Sequence, residues 1–125
     1  MYKGDVKIYL EGLTAPNGLY FTDHTLHFVD AGSFYKLGKG KEKILIADGM
    51  TADTDGIEQI DDNNFLISCW SGVVWMVNVK GQKSVLLDTK SDGINAADIG
   101  FDQKNKILYV PTFWKNNVMA YQFKN

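Results

Sequence analysis

Asp55 stands in the run Thr51-Ala-Asp-Thr-Asp-Gly56, and Asn17 stands in Ala15-Pro-Asn-Gly-Leu19. Each is followed at once by a glycine and then by a branched apolar residue. One anionic and one neutral oxygen suit a hard divalent cation such as Ca2+, which takes about six to eight oxygen ligands. A cation held there could polarise a carbonyl, and a nearby carboxylate could orient the attacking water. On this reading Asn17 and Asp55 are candidate metal ligands. Asn-Gly and Asp-Gly also make turns in most proteins, so spacing alone leaves both roles open.

Other residues with chemical potential are weighed against packing. Trp70 and Trp114 follow apolar runs that end in polar turns, and an exposed aromatic there could stack on a sugar-like ring. Packing between neighbouring units is the alternative for both. Trp75 alternates within a strand-like run and reads as core. Asp53–Gly56 resembles part of a calcium loop, but Thr51 stands where the first carboxylate belongs and no helix pattern flanks it. His24 and His27 fall on opposite faces of a strand, which separates them as a zinc pair. Cys69 ends an apolar run without a partner histidine and reads as a small packed residue. Asp98 falls one place after the register of Asn17 and Asp55; a turn role is expected for it, and reaching the channel is the alternative.

These positions repeat. Aligning Asn17-Gly18-Leu19, Asp55-Gly56-Ile57 and Ala97-Asp98-Ile99 gives steps of 38 and 42 residues. Periods of this size indicate stacked units or propeller blades. The units begin near 14, 52 and 94. Each contains short runs rich in β-branched and aromatic residues, bounded by Gly, Asn and Asp, which is the strand signature. No segment keeps helical apolar spacing for long. The expected fold is all-β: three four-stranded blades in one domain, 1–125. The third unit stops after its third strand, whereas a spare strand, Val6-Lys-Ile-Tyr-Leu10, precedes the first.

Propellers close with about four to eight blades, so three would leave two apolar faces open. At roughly 25 cal/mol per Å2, covering such a face outweighs the cost of association. The expectation is a homodimer that closes a six-bladed ring, the strand 6–10 of each copy completing a blade in trans. The alternative is that the chain is the C-terminal half of a longer propeller.

Composition narrows the function. Thirteen basic against fifteen acidic residues, with no basic stripe, argue against nucleic acid. The lysine run Lys36–Lys43 sits beside Gly38 and Gly40 and reads as a solvated hairpin tip. No apolar run is long enough for a membrane span. One cysteine excludes an internal disulfide. The N-terminus does not have the form of a signal peptide, which leaves the compartment open.

The blocks APNGLYFTD, TLHFVDAG, TDGIE and NNFLISCWSGVVWMV resemble the gluconolactonase/regucalcin (senescence marker protein) family of six-bladed propellers. AADIGFDQKNKILYVPTFWKNNVMAYQF resembles bacterial members of the same broad group. The resemblance spans nearly the whole chain and half of the family's ring. It implies a divalent cation, commonly calcium, in the central channel, with Asn17 and Asp55 among its ligands. It also implies a sugar-lactone substrate and a role for Asp55 in activating water. The family's further glutamate ligand, from its first blade, has no counterpart here. A non-catalytic module that binds a ligand or protein at the channel mouth, and a self-assembling propeller fragment, are the competing functions.

Overall fold

The computed structural model describes residues 3–124, which form three antiparallel sheets. Blade one contains β1 (Pro16–Thr22), β2 (Thr25–Asp30), β3 (Ser33–Leu37) and β4 (Lys43–Ala47). Blade two contains β5 (Thr54–Gln59), β6 (Asn64–Cys69), β7 (Val73–Asn78) and β8 (Lys83–Asp88). Blade three has β9 (Gly100–Asp102), β10 (Ile107–Pro111) and β11 (Val118–Gln122). In each sheet every strand pairs with its sequence neighbour, so the polar turns between apolar runs are sufficient to set the order. Helical structure among the described residues is confined to 3-10 turns at Lys90–Asp92 and Phe113–Lys115.

The blades are propeller-like, and they do not close a ring. Val6–Leu10 forms no strand within the chain, so the third sheet has three strands rather than four. The physical reason is the lack of a partner: an extended segment keeps strand form only where another edge takes up its amides.

Alternation along each strand sends side chains to both faces, and the buried ones meet between blades. Val29, Phe34, Ile57, Phe65, Ile67, Cys69 and Val73 fill the space between blades one and two. Leu66, Val74, Ala96, Ile99, Leu108 and Val110 fill that between blades two and three. Blade two, covered on both sides, therefore carries near-continuous apolar runs in β6 and β7. The outer faces of the end blades stay open, leaving Leu19 66% and Phe21 68% exposed on one side and Val118 61% exposed on the other.

Asp30 ends β2 and fixes the approach to β1. Its carboxylate accepts from the Ala15 amide at 2.6 Å and from the Thr14 amide at 3.0 Å. Asp30 is buried, so Asp30→Ala strands two amides with little access to water. A loss of about 2–3 kcal/mol is expected, read as a fall in the urea midpoint at unchanged slope.

Candidate functional site

Asn17-Gly18 and Asp55-Gly56 lie inside the innermost strands of their blades, where the sequence suggested turns leading into them. The register slips between Pro16 and Leu19 on β1, and again between Thr54 and Ile57 on β5. In each case three steps on the inner strand match two on its neighbour. Such a bulge re-aims the side chain it carries, and here the residues re-aimed are Asn17 and Asp55.

The glycines after them let the inner strands crowd together. A Cβ on Gly18 would strike the carbonyl oxygen of Asp55. A Cβ on Gly56 would lie 2.5 Å from the Asp98 carboxylate and 2.7 Å from the Ile99 amide nitrogen. The three aligned segments thus converge: β1 against β5, and β5 against the segment that leads into β9. Ser68, fully buried, ties the second contact. Its hydroxyl accepts from the Gly56 amide at 2.8 Å and donates to the Ala97 carbonyl at 2.7 Å. Nothing in the sequence marked Ser68, because one of its two partners, Ala97, comes from the segment leading into the next blade.

Asp98 therefore does more than turn the chain. It stands close enough to Asp55 to act on it electrostatically. The Asp55 carboxyl is pushed above its ordinary value of 3.8, first by burial and then by the negative charges of Asp98 and Asp53. Glu58 is pushed up in the same way, by burial and by Asp98. Among the described residues the Asp55 carboxylate accepts no hydrogen bond that would offset this. A raised, partly buried carboxyl beside another is the usual setting of a group that takes or holds a proton.

The aromatic residues gather on the same rim. The Trp70 amide donates to the Asp53 carbonyl at 2.9 Å, and the Ser71 amide donates to the Asp53 carboxylate at 2.5 Å. On its other side the Trp70 carbonyl accepts from the Asn95 side chain at 2.9 Å and the Ala96 amide at 3.2 Å. The turn carrying Trp70 is therefore pinned to both segments that bear the acidic pair. Its ring meets Phe113 edge-on at 5.8 Å, and Phe113 meets Trp114 edge-on at 4.8 Å. Trp70 and Trp114 are thus linked through Phe113, which sequence reading passed over.

Phe113 has a left-handed backbone, with φ 54. For an aromatic residue this costs about 1–2 kcal/mol, and such strain gathers at functional sites. The buried Thr112 holds the turn in place. Its amide and hydroxyl both donate to the Asn117 carbonyl, at 3.0 and 2.9 Å. The outcome is an exposed aromatic shelf, with Phe113 and Trp114 more than half open to solvent.

A protein-family scan, a search of curated proteins and a search of solved structures each return no match to the chain. The functional reading therefore rests on the rim itself.

Three other candidates are placed elsewhere. His27 is buried against Phe34 and Phe65, with ring distances of 5.8 and 5.0 Å, whereas His24 lies in the exposed β1–β2 turn. Cys69 is buried in the first core cluster, and burial raises its thiol. Trp75 packs against that same cluster.

The donor types at the mouth suit a hard cation, but their number is short. Among the described residues no group of three or more His, Cys, Asp or Glu side chains is arranged to hold a metal ion. Asp55 and Asp98, with Asn17 on the adjoining strand, supply fewer oxygens than Ca2+ takes.

Proposed function

We propose that this rim binds a small polyhydroxylated ligand of the sugar-lactone class, with Asp55 directing water at its carbonyl. The observation that carries the reading is the pinning of an exposed aromatic shelf and a raised carboxyl to one another through Asp53 and Trp70. The faces of Trp70 and Trp114 offer a sugar ring apolar contact, whereas its hydroxyls remain free for the acidic side. Asp55, once ionised, accepts a proton from water and aims the resulting oxygen at the ester carbon. The ring C–O bond then breaks, and the departing alkoxide takes back from Asp55 the proton that came from water, which gives the open hydroxy acid and restores the carboxylate. Hydrolysis of a six-membered sugar lactone, followed by acid release, tests this.

Trp114→Ala should weaken binding of that lactone about tenfold, the equivalent of one aromatic contact. Because Trp114 is 67% exposed, its removal should leave the melting temperature unchanged. Calorimetric titration beside a thermal melt checks both. Unaltered affinity would take the shelf out of the site.

The negative charges of Asp98 and Asp53 beside Asp55 favour a second reading, in which a divalent cation binds there without turnover, with water supplying the oxygens that the side chains lack. Calcium would then raise the melting temperature of the protein, and Asp55→Asn would abolish the rise. No step of the hydrolysis above depends on that ion.

A further inference from the structure

Val6–Leu10 joins no sheet, yet it is not placed at random. It continues as VKIYLEGL to Leu13, and this aligns with KILIADGM, Lys43–Met50, where β4 leaves blade one. Gly12 and Gly49 hold the same position in the two runs and have the same left-handed backbone, φ 73 and φ 74.

The surroundings match as well. In the β3–β4 hairpin the Gly38 amide donates to Glu42 and the Lys41 amide to Gly38. In the β7–β8 hairpin the Asn78 amide donates to Gln82 and the Gly81 amide to Asn78. Lys41 and Gly81 are therefore equivalent, and both have positive φ. Gly81 abuts the carbonyl of Ile46 on β4. Lys41 donates to the carbonyl of Tyr9 at 3.4 Å, its ammonium 3.9 Å from the Tyr9 ring centre. Tyr9 is the residue aligned with Ile46. The segment lies against blade one as β4 lies against blade two, in the place of the outer strand of a preceding blade.

At the other end, β11 has β10 on one side and no strand on the other among the described residues. We propose that the outer edge of β11 takes Val6–Leu10 of a second copy of this chain, and that the reciprocal exchange closes two copies into one ring. Both halves of the junction are present in one chain, so a two-fold axis satisfies both at once. The registers of β3–β4 and β7–β8 carry over directly. They set Leu10 opposite Val118, Ile8 opposite Met119, Lys7 opposite Ala120 and Val6 opposite Tyr121, with Tyr9 at the bulge as Ile46 is.

Val6 and Ile8, 92% and 74% exposed in the single chain, then turn toward an apolar cleft of about 410 Å3. Its walls include Met76, Leu86, Leu108 and Phe123, from blades two and three. The same closure covers Leu19 and Phe21 of one copy with the face of Tyr109 and Val118 of the other.

Light scattering at micromolar concentration should return twice 14.0 kDa. Ile8→Cys with Met119→Cys should oxidise to a covalent dimer on a non-reducing gel, since facing strand residues fall within disulfide reach. The native Cys69 is buried and does not compete. Ile8→Asp should shift the mass to that of the monomer with an unchanged circular-dichroism spectrum, because Ile8 is largely exposed in the single chain. A monomeric parent would leave the edge to some other chain and overturn the proposal. A bridge within one chain, or a ladder of polymers, would overturn it equally. The deciding readouts are masses, so they stand or fall apart from any ligand bound beside Asp55.

Discussion

Asp55→Asn is expected to lower lactone hydrolysis by about 10²–10⁴-fold, the range for loss of a positioned general base. The same change is expected to make the protein more stable. Burial and the charges of Asp98 and Asp53 hold the Asp55 carboxyl above 3.8, so the folded protein binds this proton more readily than the unfolded chain. Above the raised value the ionised group works against folding. That cost fades as pH falls through the raised value and is gone below 3.8.

Asparagine removes the charge at nearly constant shape. A rise in melting temperature of about 2–4 °C at neutral pH is expected, shrinking to nothing in acid. Thermal melts across pH, run beside initial rates, check both signs. Loss of activity with lowered stability at neutral pH would mean that Asp55 serves the fold. Rates that hold at the parent level would remove it from the chemistry. A carboxylate kept at a cost to stability is the pattern expected of a working group.

Gly18→Ala is expected to be strongly destabilising. A methyl there meets the Asp55 backbone carbonyl, which has no rotamer by which to move aside. Blades one and two would have to part where their inner strands converge. About 3 kcal/mol of lost stability is expected, from overpacking together with displacement of a strand. Gly100→Ala supplies the control, since a Cβ at Gly100 has nothing within 4 Å and the change should fall within about 0.5 kcal/mol of neutral. Urea denaturation of the pair measures the difference. Equal midpoints would mean that the inner strands are not in close approach.

Much of the architecture could be read from the chain before any coordinates. The 38- and 42-residue steps and the punctuation by Gly, Asn and Asp gave repeated units of short strands, and the described residues form sheets of four, four and three. Such features are local: alternation and turn chemistry are written within a few residues of where they act. The segment Val6–Leu10 was expected as a strand, and within the single chain it forms none.

The site was legible only in part. Asn17 and Asp55 were picked out by the glycines that follow them, but as turn residues, whereas they lie at bulges within β1 and β5. A bulge depends on how two strands register, and neither strand carries that by itself. Asp98 was expected to turn the chain because it is one place out of the repeat, and convergence of the inner strands sets it beside Asp55. Phe113 gave no sign at all: its exposure follows from a left-handed turn held by Thr112 and Asn117.

Repeat, strand and edge pattern were thus determined by the sequence, since hydrophobic alternation and turn-forming residues act over short range. Which side chains meet at the mouth was decided only when three blades packed. Contacts such as Gly56 to Asp98, or Ser68 to Ala97, join residues dozens of positions apart, and their electrostatics exist only once those distances are short.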